Sequence, residues 1–169
     1  KPYTGEAPVT SAEAKPVEQP AQTDVAAAKQ DIIDRTNALR RTKGVAALRV
    51  NDKLMQAAQV RADEMAASVV YSHTRPDGRK YTTVTDCKYI GENIHLIGEW
   101  QIRDSSLPSF AVEAWKNSAA HLKNMLNTRY HEIGVGVSKG TVMDEPYWYC
   151  VQLFLLDGYN VTWVDTPAA

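Results

Sequence analysis

EIGVGVS at residues 132–138 and YWYCVQLFLL at residues 147–156 decide the fold. The first stretch alternates with a period of two, which is typical of a β-strand, and the second is a continuous apolar run that is typical of a buried strand. Both lie late in the chain, after the segments that show a helical period. Helices that precede strands, rather than alternating with them, favour an α+β sandwich around an antiparallel sheet over a doubly wound parallel fold.

Four helices are predicted upstream of these strands, because apolar residues recur there at helical spacing. NVTWV at residues 160–164 resembles one further strand. The residues around Glu92 are ambiguous between a short strand and a loop. The helix start signals are Asp24, Asn51, Pro108 and Ser118.

Residues 1–23 differ in composition from the rest of the chain. KPYTGEAPVTSAEAKPVEQPAQT holds four of the eight prolines and almost no large apolar residue. Such a segment cannot bury enough apolar surface to offset the entropy lost on ordering, so we predict a linker or tail. The folded domain is expected to comprise residues 24–169, a length that suffices for one hydrophobic core.

Charge and hydropathy argue against two classes of partner. The chain has 19 Lys and Arg against 20 Asp and Glu, a net charge of -1, and it has no cluster of basic and aromatic residues. This composition is unlike that of a nucleic-acid-binding domain. The longest apolar runs are far shorter than the ~20 residues that a membrane-spanning helix needs. We therefore expect neither nucleic-acid binding nor a transmembrane segment.

No local motif marks a catalytic or metal site. The four histidines are not spaced as a ligand pair such as HExxH, and no CxxC, GxSxG, Walker or GxGxxG motif occurs. Any site must therefore be assembled from distant segments. Glu92 is a starting point, because it lies between apolar residues in YIGENIH and needs a donor or a cation to remain ionised. A helix N-terminus, backbone amides or side chains from elsewhere in the chain could each meet this need.

Five motifs occur in a fixed order along the chain. Together they closely resemble the CAP superfamily (cysteine-rich secretory proteins, antigen 5 and plant pathogenesis-related proteins), and best its bacterial branch of small extracellular domains. The resemblance covers roughly residues 25–157. The motifs are SHTRPDG at 72–78, GENI at 91–94, AVEAWKNSAAHLKNML at 111–126, EIGVGV at 132–137 and YWYCVQLF at 147–154.

The resemblance implies a three-layer α-β-α sandwich with a central antiparallel sheet and a large cleft. In this family two histidines and two acidic residues line the cleft and can hold a divalent cation such as zinc. Matched residue by residue, the family positions imply His73, Glu92 and His121 as metal ligands, with Asn124 as a further ligand-binding residue. On this basis Glu92 is expected to face two imidazoles.

One position departs from the family pattern. The second glutamate of the family, three residues after the tryptophan of the third helix, is Ser118 here. Glu113 is a poor replacement, because five residues along a helix turn it roughly 140° away. Three protein ligands and a water can still hold zinc, but more weakly than four ligands. We therefore expect weak, reversible zinc binding at most.

The resemblance also implies a function and a location. We expect a secreted or cell-envelope domain that binds a ligand in the cleft, such as a lipid, a peptide or a divalent cation. A component of the cell wall or of a host surface is the expected partner. No catalysis is expected, because no serine or cysteine is paired in sequence with a histidine. The alternative is a metal-dependent hydrolase that acts on peptide or cell-wall material.

Two cysteines, Cys87 and Cys150, are compatible with one disulfide or with two buried thiols. Cys150 lies in a predicted strand, where a thiol also serves as a small apolar side chain. Export, which the resemblance implies, favours a Cys87–Cys150 disulfide, because the bond persists in an oxidising compartment.

Overall fold

The computed structural model describes residues 24–167. The predicted linker at residues 1–23 and the last two residues lie outside the described residues. The described part contains four helices and a four-stranded sheet. In chain order these are α1 (Val25–Thr42), β1 (Arg49–Val50), α2 (Asp52–Ser68), β2 (Ile90–Gly98), α3 (Leu107–Lys116), α4 (Ala119–Leu126), β3 (Tyr130–Val142) and β4 (Glu145–Leu156), with 3₁₀ turns at Tyr81–Val84 and Glu99–Ile102.

Each helix begins at the predicted start signal. Asp24 caps α1 by accepting from the Ala27 N–H at 3.2 Å, and Asn51 caps α2 by accepting from the Leu54 N–H at 3.0 Å. Ser106 caps α3, with Pro108 in its first turn. Ser118 occupies the cap position of α4, but its side chain bonds no backbone N–H there.

The sheet has the strand order β1-β3-β4-β2. β3 and β4 form a long antiparallel hairpin, and β2 pairs with the other edge of β4 in antiparallel register, with Glu92 opposite Leu153. The two-residue β1 runs parallel to β3, so the sheet is mixed rather than purely antiparallel as predicted. β2, which was ambiguous in the sequence, is an edge strand of nine residues. NVTWV is not a strand, because it contributes only the isolated bridge between Thr85 and Val164.

Helices cover both faces of the sheet, which confirms the α+β sandwich. On one face α1, α3 and α4 pack large apolar side chains around Trp115 and Phe154. On the other face α2 lies alone, with Ala57, Ala58 and Ala62 in its buried stripe. Gly134 on β3 faces α2, and a Cβ at this position would overlap the backbone of Leu54. Small residues on both elements therefore let α2 lie directly against the sheet.

The expected disulfide is corrected by the structure. Both cysteines are free and buried. Cys150 belongs to the apolar cluster under α1 and α3, whereas Cys87 belongs to the cluster under α2, on the opposite face of the sheet. Cys150 also lies five residues along β4 from Leu155, the partner of Ile90, which is roughly 16 Å of strand. A disulfide needs Cα atoms about 4–7 Å apart, so these two thiols cannot join.

Candidate functional site

Glu92 on β2 is met by a guanidinium group from α2. Arg61 Nε lies 2.8 Å from Glu92 Oε2, and Arg61 Nη2 lies 3.2 Å from Oε1, so the pair is bidentate. Both side chains are fully buried. Burial by itself lowers the pKa of Arg61, but hydrogen bonds and charges from Glu92 and Glu64 outweigh burial and raise it. The guanidinium is therefore charged, and it supplies the cation that the sequence required for Glu92.

His73 forms the second contact of Glu92. Its Nδ1 lies 2.8 Å from Glu92 Oε1, and 54% of its side chain is exposed. An ionised carboxylate can only accept hydrogen bonds, so Nδ1 carries the proton and donates it. Nε2 is then an unprotonated acceptor that faces away from the carboxylate, on a half-exposed ring. Glu92 thus faces one imidazole and one guanidinium, not the two imidazoles that were expected.

A network of ion pairs extends from Arg61 on α2 through Arg75 to Asp165 in the C-terminal segment. Arg61 Nη1 donates to Glu64 Oε1 at 2.8 Å, and the same carboxylate accepts from Arg75 Nε at 2.9 Å. Arg75 is 3% exposed, and its Nη1 donates to Asp165 at 2.8 Å. Because each charge meets an opposite one, the buried guanidiniums are compensated. This network fixes the segment around His73 to α2 and to the C-terminal segment.

Asn93, the residue after Glu92, points to the other face of the sheet and anchors α4. Its Nδ2 donates to the His121 carbonyl and to Gln152 Oε1, both at 3.1 Å. Asn124 Nδ2 donates to Asn93 Oδ1 at 2.9 Å, and it also lies 3.4 Å from the Glu92 carbonyl oxygen. Gln152 in turn donates to Thr36 on α1 at 2.8 Å. The side-chain amide of Asn124, a predicted site residue, therefore contacts the Asn93 side chain and the Glu92 backbone carbonyl on β2.

His121 lies in the first turn of α4, and its Nδ1 is 2.8 Å from Ser118 Oγ. This contact explains why Ser118 does not cap a backbone N–H. Burial, and then the charge of His73, lower the pKa of His121. The charge of one group acts on the pKa of another only at short range, so His73 lies in the same part of the molecule as His121.

His95 is a third imidazole near the site that the sequence did not assign to it. Burial, and then the charge of His121, lower the pKa of His95. Its ring stacks on Phe110 of α3 with 6.2 Å between centroids. His95 lies two residues after Asn93 and hence on the same face of β2, a period-two relation that could have identified it. His131 contacts Asp157 on the surface and has no part in the site.

Side chains also cover the outer edge of β2. The Ile94 carbonyl accepts from Tyr71 Oη and from Trp115 Nε1, both at 3.1 Å, and the Ile90 carbonyl accepts from Tyr81 Oη at 2.9 Å. An uncovered edge strand could pair with a strand from another chain. These carbonyls are already occupied, so the edge presents side chains rather than a free backbone ladder.

The predicted three-ligand metal set gains no support from this geometry. Within residues 24–167, no three side chains of His, Cys, Asp or Glu are arranged to hold one metal ion. Both oxygens of Glu92 are engaged by Arg61, so metal coordination by Glu92 would leave a buried guanidinium without its partner. The remaining candidate metal ligands are the Nε2 atoms of His73 and His121. In the part of the chain that the structure describes, neither atom has a hydrogen-bond partner, whereas both Nδ1 atoms do.

Arg61 is the main residue of the site that the sequence did not reveal. It lies in the buried stripe of α2 between Ala58 and Ala62, a position that helical spacing assigns to an apolar residue. A charged residue in such a stripe, in a chain that also has a carboxylate in a buried strand, was the available signal.

A family model matches most of the folded part of the chain. The family model described as "CAP: Cysteine-rich secretory protein family" matches residues 33–154. "Uncharacterized protein YkwD" of Bacillus subtilis (strain 168) is 29% identical over 129 residues, which are 75% of this chain and 49% of YkwD. The chain thus spans about half the length of this relative.

Two solved structures share the fold. An extracellular protein containing a SCP domain from Bacillus anthracis str. Ames matches 79% of this chain and 41% of its own, with 23% identity and a TM-score of 0.58. An outer surface protein from Borrelia burgdorferi matches 79% of this chain and 96% of its own, with 19% identity and a TM-score of 0.57. No helix within residues 24–167 has both the length and the apolar character needed to cross a membrane.

Proposed function

Because this chain belongs to the CAP family of cysteine-rich secretory proteins, we propose that it is a secreted or cell-envelope domain that binds a ligand between His73 and His121. The extracellular and surface location of its structural neighbours supports the proposed location. A component of the cell wall or of a host surface is the proposed partner. No catalytic step is part of the proposal.

One observation carries the proposed binding site. Each of the two imidazoles has its Nδ1 held at 2.8 Å, by Glu92 for His73 and by Ser118 for His121. Histidines that bind metals commonly donate the other ring N–H to such a partner, which fixes the tautomer and the orientation of the ring. The proposed role of Glu92 is therefore to orient His73, and the proposed role of Arg61 is to keep Glu92 in place.

A divalent cation such as zinc is the ligand that this donor set fits best. Neutral imidazoles suit zinc, and two of them with water would hold it weakly and reversibly. A peptide or a lipid, the other ligands that the family resemblance suggests, would meet the same exposed ring of His73.

The proposal is tested by calorimetric titration of zinc into the wild type and the His73→Ala and His121→Ala variants. We expect weak binding by the wild type and an affinity at least about tenfold lower in either variant, since one of two ligands is lost. The affinity for zinc should fall as the pH is lowered, because a protonated imidazole cannot coordinate a metal ion. The lowered pKa of His121 keeps its ring neutral to a pH below the usual ~6.5, so binding should decline over a range that extends below this value.

His131→Ala is the matched control, because His131 is half-exposed, pairs with Asp157 and lies outside the cleft. Its zinc affinity should equal that of the wild type. Equal loss in all three histidine variants would indicate non-specific surface binding, and unchanged affinity in His73→Ala or His121→Ala would remove the two-imidazole site.

A further inference from the structure

A groove of about 1200 Å³ lies at the far end of β2 from Glu92. Its walls come from the start of α1, the 3₁₀ turn Glu99–Ile102, the start of α3 and the β3–β4 hairpin. Trp148 in its wall is opposite Ile97, whereas Glu92 is opposite Leu153, so the groove and the histidine cleft are separated by roughly 16 Å of strand. We propose that this groove binds a neutral oligosaccharide, independently of the histidine cleft.

Trp100 gives the groove an aromatic platform. The side chain is 59% exposed, yet its ring lies directly against the backbone of Gly98, where a Cβ would be only 2.5 Å from the indole nitrogen. The Gln101 side chain accepts from the Gly98 N–H at 2.8 Å and holds the same turn. The contact with Gly98 thus holds a large aromatic ring in a solvent-exposed position. A flat, rigid ring of this kind is suited to stack on the apolar face of a sugar.

Trp148 adds a hydrogen-bond donor without an acceptor. The residue is 4% exposed, lines the groove, and its indole N–H is the one buried side-chain polar atom within residues 24–167 that has no partner. The ammonium of Lys139 lies over its ring, 5.3 Å from the centroid. A buried donor without an acceptor costs free energy, which a ligand oxygen that reaches the indole N–H would recover. Sugar hydroxyl and acetamido groups provide such oxygens.

The charges of the groove favour a neutral ligand over a cation. Three of its carboxylates are already engaged. Asp24 caps α1, Asp31 pairs with Arg35 at 3.1 Å, and Glu99 pairs with Lys139 at 3.0 Å. The wall also offers Arg103, Ser105 and Glu145, which supply both donors and acceptors. A ligand with an apolar face and a rim of hydroxyl groups matches this mixture better than an ion of either sign.

The test is titration of N-acetylglucosamine tetramer and of cellotetraose into the whole chain, followed by calorimetry and tryptophan fluorescence. We expect the wild type to bind at least one of them, and Trp100→Ala to lower the affinity by about tenfold or more. Gly98→Ala should also weaken binding although Trp100 is still present, because the new Cβ displaces the ring. His73→Ala should bind the saccharide like the wild type, which separates this proposal from the proposed function.

Trp163→Ala is the matched control, because Trp163 is 54% exposed and does not line the groove. This variant should bind like the wild type. Failure of both saccharides to bind would overturn the proposal. So would equal affinity in Trp100→Ala and the wild type, or an equal loss in Trp163→Ala.

Discussion

The two faces of the sheet each bury a polar cluster, and the two clusters meet at adjacent residues of β2. On the α2 face the cluster is charged, with Glu92 held by Arg61 and Arg61 held by Glu64. On the α1 face it is neutral, with Asn93 bonded to Gln152. Successive residues of a strand point to opposite faces, so one dipeptide joins both clusters. The charged cluster positions the imidazole of His73, and the neutral one positions the helix that carries His121.

This difference has an energetic consequence. A buried ion pair contributes little net stability compared with well-packed apolar residues, but removal of one partner is strongly destabilising because the other charge stays buried. Removing the partner of a buried neutral amide costs less free energy of folding than removing the partner of a buried charge. The charged face should therefore be the more sensitive to single substitutions. Because the ion pair contributes little net stability, we infer that its role is to orient the His73 imidazole.

The largest effect is expected from Arg61→Met, which leaves Glu92 buried without its guanidinium. We predict a loss of about 3–5 kcal/mol in the free energy of unfolding. Urea denaturation of the variant and the wild type measures this loss.

Arg35→Ala is the control for Arg61→Met, because Arg35 pairs with Asp31 at 3.1 Å where both side chains are 44% exposed. Its loss should stay within about 1 kcal/mol. The double variant Arg61→Met with Glu92→Leu should be more stable than Arg61→Met alone, since no unpaired charge remains. A single variant as stable as the control would contradict the charged-cluster interpretation.

A smaller effect is expected from Gln152→Met on the neutral face. The substitution keeps the volume but removes the hydrogen bond that Gln152 accepts from the Asn93 amide and the one that it donates to the Thr36 hydroxyl. We predict a loss of about 1–3 kcal/mol, smaller than that of Arg61→Met under the same conditions. The same denaturation experiment checks the order. A loss that exceeds that of Arg61→Met would reverse the comparison between the two faces.

Much of the fold could be predicted from local sequence signals. Capping residues located the helices, because Asp24 and Asn51 satisfy N–H groups only a few residues away. The strand predicted at residues 160–164 was wrong, because Val161 and Val164 are buried but the segment pairs with the rest of the chain only through the isolated bridge between Thr85 and Val164. The parallel β1 was missed because two residues carry no periodic signal.

The site could be predicted only in part. The family resemblance predicts His73, Glu92, His121 and Asn124 as site residues, and hydrogen bonds connect the other three to Glu92 or to the adjacent Asn93 on β2. It did not reveal which face each side chain uses, and this decides whether Glu92 meets Arg61 or a second imidazole. The disulfide was wrong for the same reason, since Cys87 and Cys150 lie on opposite faces. The partners of these side chains come from segments far away in the sequence, so local spacing alone does not identify them.

The tautomer of His73 tests most directly the central claim that Arg61 holds the Glu92 carboxylate in place and that Glu92 orients the imidazole. Nitrogen chemical shifts of the ¹⁵N-labelled histidines, recorded at about pH 8, where an imidazole is neutral, distinguish the two ring nitrogens. Loss of one set of signals in His73→Ala assigns them. We predict a proton on Nδ1, which donates to Glu92, and an unprotonated Nε2 that is free to bind a ligand. A proton on Nε2 with Nδ1 unprotonated would contradict the claim.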